Sequence, residues 1–499
     1  MFKKVLIANR GEIAVRVIRA CRDMGISTVA VFSEADRYSQ HVLLADEAYE
    51  IGPPPSNQSY LDDTKILTVA KNAGVDAIHP GYGFMSENAD FCKKVTEAGI
   101  EFIGPSPQNI VEMGDKLSAI SLMKKAGVPT VPGSDGPVDT VEDAHKVAEK
   151  IGYPIMIKAT AGGGGKGMRV VHDPKDLESM YRAARSEGLN YFKNDVVYME
   201  RFITSPKHIE IQVFGDKHGN VVHLYERECS IQRRHQKVIE EAPSPSVPED
   251  VRQKMGQVSV KAAESIGYVG AGTFEFIFDN NTKEFFFMEM NTRLQVEHPI
   301  TEAVTGVDLV RAQLQVAAGM ELPWKQEDIK LKGHAIECRI CAEDPETFIP
   351  SPGKIKRFRP PAGPRVRVDT YVFSGYEVPI YYDPMIAKLI TWGENREEAA
   401  DRMNRALIEF KLTGVKSNIV LHKSILKAPK FLSGEYTTQF CETDLKVDTP
   451  DLFKFVDDEV FLIAAAISAY KDREKNPVEK KYDEMSAWKL SGRDGGMRY

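Results

Sequence analysis

Residues 289–299 read Glu289-Met290-Asn291-Thr292-Arg293-Leu294-Gln295-Val296-Glu297-His298-Pro299, directly after the apolar run Phe285-Phe286-Phe287-Met288. Two carboxylates, an asparagine, an arginine and a glutamine therefore follow a predicted strand. Charged groups buried in such a place are costly unless they are paired. The stretch predicts a site for a metal, a phosphate or a reacting anion.

A hairpin is predicted to carry this stretch, with residues 273–278 as its first strand, a turn over 279–283 and residues 284–290 as its second strand. If Phe278 pairs with Glu284, odd-numbered positions share a face, and Glu275 and Glu289 become diagonal neighbours about 7–8 Å apart at Cα. That spacing suits Mg²⁺ or Mn²⁺, which binds carboxylates together with substrate phosphates. The residues predicted to pack on the other face are Phe274, Phe276, Phe286, Met288 and Met290.

A glycine-rich loop is the second motif. A predicted strand over residues 154–158 runs into Gly162-Gly163-Gly164-Gly165-Lys166-Gly167, and another predicted strand covers 169–172. Backbone N–H groups of such a loop can wrap phosphate oxygens. It is not a Walker A loop, because no Ser or Thr follows Lys166. The glycines alone also fit a mobile hairpin tip, but Lys158 just before the loop favours the phosphate interpretation.

Two further polar stretches are less specific. Over residues 207–214, alternation places His208, Glu210 and Gln212 on one face of a strand, which could be a site or a solvated sheet face. Residues 232–237, Gln-Arg-Arg-His-Gln-Lys, form a basic loop that could be an anion site or a solvated turn.

Composition bounds the protein class. The chain has 499 residues, of which 42 % are apolar, as expected for a globular protein of several domains. Its 65 Lys and Arg residues are outnumbered by 72 Asp and Glu residues, so no net positive charge favours binding to nucleic acid. Its six cysteines form no disulfide framework, and Cys338 and Cys341 would face opposite sides of a strand. The start lacks a signal peptide, and the longest apolar run has eight residues. We expect a cytoplasmic protein without a membrane span.

The N-terminal part alternates short strands and helices. Residues 3–8 and 28–32 read as strands around a helix over 13–24, which predicts a parallel doubly wound sheet over about 1–113. Only Gly11 stands in the first turn, so a dinucleotide cofactor is disfavoured. Helices are also predicted over 115–126 and 458–472, with a hinge at 131–137 between the first of these and a small inserted domain.

Five stretches in one order resemble the biotin carboxylase component of biotin-dependent carboxylases, an ATP-grasp family: residues 7–14 (IANRGEIA), 79–84 (HPGYGF), the glycine-rich loop, 232–237 and 289–299. The resemblance covers about residues 1–446. It implies an α/β and α+β fold, with an N-terminal Rossmann-like domain (1–113), a linker helix (114–132), an ATP-grasp lid (133–203), the large ATP-grasp subdomain with the biotin carboxylase C-terminal domain (204–446), and a partner-contact or flexible tail (447–499).

The resemblance also implies roles for matching positions. Lys116 and Lys158 would hold ATP phosphates under the lid loop, and Glu289 would bind the metal with Glu275 and Asn291. Glu297 would be the general base for bicarbonate, and Arg339 would face biotin or phosphate. The other nucleotide residues implied are Gly162, Gly163, Gly164, Gly165, Lys166, Gly167, Glu200, Arg201, Ile203, His208, Gln232, His235 and Gln236. Bicarbonate would be held by Lys237, Arg293, Gln295 and Val296, with Arg293 also stabilising the biotin enolate.

The implied function is ATP- and bicarbonate-dependent carboxylation of biotin through carboxyphosphate, within an acetyl-CoA or propionyl-CoA carboxylase. A two-subunit pyruvate carboxylase is the alternative, and another ATP-grasp ligase or a non-catalytic nucleotide-binding scaffold is less favoured. No Ala-Met-Lys-Met biotin-attachment sequence occurs, so biotin is expected on a separate carrier protein. Expected partners are that carrier, a carboxyltransferase and a second copy of the chain. Cys341 departs from the family pattern, where an asparagine or a similar residue is expected after Arg339.

Overall fold

The computed structural model describes residues 1–134, 136–159, 168–192, 194–234, 236–447 and Ile467, and for residues 117, 159, 191 and 192 only the backbone. Residues 1–447 form one compact unit. Three predicted features lie outside the described residues: the glycine-rich loop at 160–167, His235, and the tail helix at 458–472 apart from Ile467.

A five-stranded parallel sheet lies at the N-terminus, with the order β3-β2-β1-β4-β5. Helix α1 begins at Gly11, two residues before the predicted start, because its φ of +70° lets the chain leave β1 in a tight turn. The elements are β1 (Lys4–Ile7), α1 (Gly11–Asp23), β2 (Ser27–Ser33), α2 (Gln40–Leu44), β3 (Glu47–Gly52), α3 (Asp63–Ala73), β4 (Ala77–His79), α4 (Ala89–Glu97), β5 (Glu101–Phe102), α5 (Pro107–Gly114) and α6 (Lys116–Lys125).

A small antiparallel sheet follows, with the order β7-β6-β8. Its inward residues, such as Ile157 and Met199, form a separate core with Ala144 and Tyr181 of two helices. Hydrogen bonds between Pro132 and Arg201 and between Ser134 and Met199 pair the entering chain with β8. The elements are α7 (Val141–Ile151), β6 (Ile155–Ala159), β7 (Met168–Val171), α8 (Leu177–Phe192) and β8 (Val197–Arg201).

The largest layer is an eight-stranded sheet with the order β13-β12-β9-β10-β11-β14-β19-β17. It contains strands of both the ATP-grasp part and the C-terminal part predicted from sequence. Its strands, with the shorter β-elements near it, are β9 (Pro206–Gly215), β10 (Val221–Arg233), β11 (Gln236–Ala242), β12 (Gly270–Asp279), β13 (Phe285–Asn291), β14 (His334–Cys341), β15 (Gly353–Lys354), β16 (Arg357–Arg359), β17 (Val366–Thr370), β18 (Glu377–Val378), β19 (Met385–Gly393) and β20 (Lys411–Thr413).

Helices cover this sheet and build its cores. Helix α9 contributes Met255 and Ala262 to a core with the phenylalanines of β12, and α12 contributes Met403 and Leu407 to a core with β14 and β19. The helices are α9 (Glu249–Ser265), α10 (His298–Thr305), α11 (Leu309–Ala317), α12 (Arg396–Glu409), α13 (Ile419–Lys427), α14 (Pro429–Ser433) and α15 (Phe440–Thr443).

The hairpin β12–β13 exists, but its predicted register is wrong. Phe278 pairs with Phe285, and a bulge at Met288 shifts the register so that Glu275 lies directly opposite Glu289 rather than diagonal to it. The bulge adds one residue to β13, which also reverses the alternation of its side chains. The core face therefore holds Phe285, Phe287 and Met290 with Phe274, Phe276 and Phe278, and not Phe286 or Met288.

Bulges also interrupt β10 against both of its neighbours. Such irregularities bend a strand and increase its twist. Side chains from distant strands therefore meet on one face: Lys237 of β11 reaches Glu210 two strands away and Glu275 three strands away. All six cysteines, including Cys338 and Cys341, are free thiols. Within the described ranges, no helix is long and apolar enough to cross a bilayer.

Candidate active site

The paired acids Glu275 and Glu289 open the site at one end. Glu275 is buried, whereas Glu289 is exposed. Partial desolvation of the carboxyl by the surrounding atoms and the negative charge of Glu275 raise the pKa of Glu289, with Lys116 at the start of α6 partly offsetting them. A divalent cation would relieve that repulsion, and carboxylate oxygens are the ligands that Mg²⁺ prefers. These two residues therefore fit the predicted metal site.

Asn291, the third predicted metal ligand, stands beside them in a different role. Its Nδ2 donates to Glu275 Oε1 at 2.9 Å, and its Oδ1 accepts from Arg293 Nη2 at 3.2 Å. The amide oxygen would have to turn away from Arg293 to reach a metal held by the two acids.

His208 and Gln232 line the inner wall of the same end. His208 Nε2 lies 3.0 Å from Glu275 Oε2, and Gln232 Nε2 lies 3.0 Å from His208 Nδ1. Both residues are buried, as are Glu210 and Gln212 on the same strand face. The solvated-face interpretation of residues 207–214 is therefore wrong. His208, Glu210 and Glu275 also offer a closely spaced set of possible metal ligand atoms.

Lys237 occupies the centre of the site. Its Nζ donates to Glu210 Oε2 at 2.6 Å, Glu275 Oε1 at 2.9 Å and Glu297 Oε1 at 2.7 Å. Burial alone would lower the pKa of Lys237, but the surrounding carboxylates outweigh it and raise that pKa well above its usual value. One ammonium therefore joins the metal end of the site to the base end.

Glu297 forms the base end, with no exposed surface. Its second oxygen accepts from Arg339 Nη2 at 2.8 Å, and Arg339 Nε also donates to Glu240 Oε1 at 2.5 Å. Burial would raise the pKa of Glu297, but Lys237, Arg339 and Arg227 hold it well below its usual value. The carboxylate is therefore ionised and held at both oxygens.

The remaining residues of the opening stretch contact groups other than the Glu297 carboxylate. Gln295 Nε2 donates to Glu275 Oε1 at 3.2 Å, and the backbone carbonyl of Val296 accepts from Lys388. Arg293 lies at the rim, where its Nε donates to Glu87 Oε2 at 2.9 Å. Among the contacts of the described residues, none joins Arg293 to Glu297.

The predicted nucleotide residues of the small sheet have contacts of their own. Lys158 of β6 forms an ion pair with Glu200 of β8, and Ile203 is buried just after that strand. Arg201 pairs with Glu284 at 2.8 Å and stacks on Phe286. Gln236 is exposed at the start of β11. Gly162 to Gly167 and His235 lie in the part of the chain that the structure leaves undescribed.

Several functional contacts come from residues that the sequence did not single out for the site. Glu210 holds Lys237 and is itself held by Arg227, which is fully buried. Glu240 holds Arg339, and Glu87 holds Arg293. The alternation over residues 207–214 places Glu210 beside His208 and Gln212 as a possible site without a defined role, whereas nothing in the local pattern marks Arg227, Glu240 or Glu87.

Three protein-family models match the chain: the biotin carboxylase N-terminal domain over residues 1–110, the ATP-binding domain of the carbamoyl-phosphate synthase L chain over 115–325, and the biotin carboxylase C-terminal domain over 337–443. A biotin carboxylase of Haemophilus influenzae is 56 % identical over 446 residues, which are 89 % of this chain and 99 % of that protein. The chain belongs to the biotin carboxylase family.

Membership makes the chain an ATP-grasp enzyme, a ligase that acts as the biotin carboxylase subunit of a biotin-dependent carboxylase. A pyruvate carboxylase subunit of Methanothermobacter thermautotrophicus is 50 % identical over 476 residues, 95 % of this chain and 96 % of that protein. Among solved structures, the biotin carboxylase domain dimer of Hydrogenobacter thermophilus 2-oxoglutarate carboxylase, with MgADP, ADP and bicarbonate, has a TM-score of 0.79 at 50 % identity, covering 89 % of this chain and 97 % of that one.

Proposed function

We propose that this chain uses ATP and bicarbonate to carboxylate biotin on a separate carrier protein, through carboxyphosphate. The observation that carries the proposal is the position of Glu297. A buried carboxylate held between Lys237 and Arg339 is adjacent to the residues that could bind an anion, and it shares Lys237 with Glu275 of the metal pair. A proton acceptor, anion-binding cations and a metal pair are thus joined in one network.

Glu297 acts as general base in this proposal, and its cations tune its strength. With Lys237 and Arg339 both bound to it, the pKa of Glu297 is too low for a strong base. When these cations turn towards bicarbonate and biotin, they stabilise the carboxylate less and its basicity rises. Substrate binding therefore switches on proton transfer, which is efficient when the pKa of the base approaches the working pH.

The first half of the reaction transfers the γ-phosphoryl group to bicarbonate. A bicarbonate oxygen attacks the γ-phosphorus, the bond to the β-phosphate oxygen breaks, ADP leaves, and Glu297 takes the bicarbonate proton. Lys237, Gln295 and the backbone of Val296 hold the anion, while His208 and Gln232 line the nucleotide side. Mg²⁺ or Mn²⁺ on Glu275 and Glu289, with Asn291 turned towards it, would neutralise charge on the phosphates.

In the second half, carboxyphosphate breaks into CO₂ and phosphate, and phosphate takes the ureido N–H proton of biotin. The resulting enolate attacks CO₂ to form carboxybiotin. Arg293 at the rim stabilises the enolate, and Arg339 faces biotin or phosphate. Water must be kept from the carboxyphosphate intermediate. The glycine-rich loop is proposed to enclose the nucleotide together with Lys116, Lys158, Glu200, Arg201 and Ile203. His235 and Gln236 are proposed to border the nucleotide.

The final acceptor has two candidates. An acetyl-CoA or propionyl-CoA carboxylase is the expectation from sequence. A two-subunit pyruvate carboxylase is supported by a specific observation: the match to the M. thermautotrophicus pyruvate carboxylase subunit spans 476 residues, whereas the match to the H. influenzae enzyme spans 446. In either case the partners of this chain are a biotin carrier protein, a carboxyltransferase and a second copy of the chain. The proposed domain boundaries lie near residues 113, 132, 203 and 446.

The half-reaction is tested with the isolated chain, by following ADP release from MgATP with and without bicarbonate and free biotin. The proposal expects bicarbonate-dependent release that free biotin stimulates, and Arg293→Ala should lose the biotin response while still binding ATP. Release that ignores biotin but follows an added amine would instead support another ATP-grasp ligase. The co-purified complex is then assayed side by side for carboxylation of acetyl-CoA, propionyl-CoA and pyruvate. The substrate that it carboxylates decides between the two candidate acceptors.

A further inference from the structure

Two buried side chains hold consecutive backbone carbonyls immediately before the base. Lys388 Nζ, on β19, donates to the carbonyl oxygen of Val296 at 2.7 Å. His298 Nδ1, at the start of α10, donates to the carbonyl oxygen of Gln295 at 2.8 Å. Neither Lys388 nor His298 has exposed surface. Because a carbonyl only accepts hydrogen bonds, His298 must carry its proton on Nδ1.

Holding these carbonyls fixes the groups that face the bicarbonate position. A peptide unit is planar and trans, so its N–H points opposite to its C=O. The Gln295 carbonyl therefore sets the direction of the Val296 N–H, and the Val296 carbonyl sets that of the Glu297 N–H. The Val296 side chain is apolar, so this residue can contact an anion only through its backbone.

Lys388 is anchored by charges that lie behind the site. Its Nζ is 3.1 Å from Glu12 Oε1 on α1, and Glu12 also accepts from the hydroxyl of Tyr82. In the sheet register, Lys388 lies opposite Arg339 of β14 on one side and Asp369 of β17 on the other. A buried ammonium is stable only when a carboxylate pairs with it, as Glu12 does here. The parallel N-terminal layer thus supports the Val296 carbonyl through Glu12.

His298 is held in its neutral form. Burial and the positive charges of Lys388, Arg16 and Arg367 hold the pKa of His298 well below its usual value. Its Nε2 is buried without a hydrogen-bond partner in the part of the chain that the structure describes. The ring therefore has one polar contact that matters to the site, the donation to Gln295.

We infer that Lys388 and His298 are positioning residues for bicarbonate, which aim the backbone of Val296 and Glu297 by holding the carbonyls of Gln295 and Val296. The inference rests on the proposed function, in which Val296 and Glu297 meet bicarbonate. Neither side chain touches the reacting atoms. Displacement of a binding group by about 1 Å can cost on the order of 100-fold in rate. Loosening this backbone should therefore act mainly by raising the KM for bicarbonate.

The test compares Lys388→Met and Lys388→Arg with His298→Leu and His298→Asn, in the full chain. The Met and Leu variants should raise the KM for bicarbonate about ten- to hundredfold while ATP affinity is unchanged. Arg keeps a charged donor and Asn keeps a donor near the Nδ1 position, so both should recover most of the bicarbonate affinity. Hydrogen exchange of peptides covering residues 293–298 should become faster in the Met and Leu variants only.

Lys207→Met is the matched control, because Lys207 is also fully buried and donates to a carbonyl, that of Gly434 at 2.9 Å. It should leave the KM for bicarbonate unchanged even if it lowers stability. An unchanged KM in Lys388→Met and His298→Leu, with the wild type active, would overturn the inference. If Lys388→Met does not fold, the His298 pair alone decides. A wild type without bicarbonate-dependent ADP release would refute the proposed function instead, and hydrogen exchange would still test the two contacts.

Discussion

The metal end and the base end of the 275–297 region are built in opposite ways. At the base end, Glu297 is fully buried, both of its oxygens are bound by cations, and its pKa is depressed. At the metal end, Glu289 is exposed, faces a second carboxylate, and has a raised pKa. No cation of the described ranges lies within ion-pair distance of Glu289.

The difference shows which charges the protein supplies for itself. The charges of the base end are balanced without ligands, so Glu297 is held in position before substrate arrives and becomes a stronger base only when its cations turn towards the substrates. At the metal end the carboxylates of Glu275 and Glu289 repel each other, so an added cation would stabilise their arrangement. Lys237 bridges the two ends, because its ammonium is bound to both Glu275 and Glu297.

The largest expected effect tests whether the base end carries the chemistry. Glu297→Gln should lower the rate of bicarbonate-dependent ADP release by about 10²–10⁴-fold, because it removes the general base. Nucleotide binding, measured by titration, should persist. Glu302→Gln is the matched control: like Glu297, Glu302 is a buried acid held by two cations, here Arg16 and Arg367, and its variant should keep the rate. Equal losses in both variants would contradict the role of Glu297.

The second prediction concerns stability without metal. Lys237→Met leaves three buried carboxylates without their shared cation and should cost about 3–5 kcal/mol in the free energy of unfolding. Glu289→Gln removes a repulsive charge and should cost nothing or stabilise slightly. Urea unfolding in the presence of a chelator measures both, and similar destabilisation by the two changes would erase the contrast between the ends.

The pH dependence of stability distinguishes the buried base Glu297 from the buried histidine His79. The stabilising ionisation of Glu297 is lost only below about pH 4.5, because its folded-state pKa lies below the usual value. Buried His79 behaves otherwise: burial lowers its pKa to about 4, so stability is full above about pH 6.5 and falls as the pH drops towards 4.

His79→Gln should therefore remove up to about 3 kcal/mol of the stability loss between pH 6.5 and 4. The Gln side chain keeps an acceptor and a donor for the contacts that His79 makes with the Gly81 N–H and Gln313. Urea unfolding at a series of pH values measures the change. An unaltered slope in this window would place the acid-sensitive group elsewhere.

The smallest effect expected is that of the metal on stability. Mg²⁺ at a hundred times its dissociation constant should raise the free energy of unfolding by about 2.7 kcal/mol. Glu289→Gln should abolish this gain, whereas Lys207→Met should retain it. A gain that survives in Glu289→Gln would move the metal to other ligands, of which His208, Glu210 and Glu275 are one alternative set.

Much of the fold could be predicted because it follows local patterns. Strands β1, β2 and β6 and helix α6 lie within one or two residues of their predicted bounds, since short apolar runs mark the strands and Asp115 and Gly127 flank the helix. The resemblance to the family gave the fold class, which the family models and solved structures confirm.

The hairpin register and the long-range contacts of the site could not be predicted from the sequence. Neither the pairing of Phe278 with Phe285 nor the bulge at Met288 leaves a mark in an apolar run, so the assumed pairing of Phe278 with Glu284 predicts Glu275 and Glu289 as diagonal neighbours. Contacts of Lys237 with Glu210, and of Arg339 with Glu240, join residues far apart in sequence. They depend on how the bent sheet brings distant strands together, which local periodicity does not encode.

The bulge at Met288 has a consequence for how this hairpin can change over generations. Met288 is the residue of β13 that has no partner on β12, so deleting it would keep Glu289 opposite Glu275 and Met290 opposite Phe274 and would only straighten the strand. A change of length by one residue is therefore accommodated at the bulge without moving the phenylalanine core. Insertions and deletions in this hairpin should accordingly be found at the bulge as well as in the turn at 280–283.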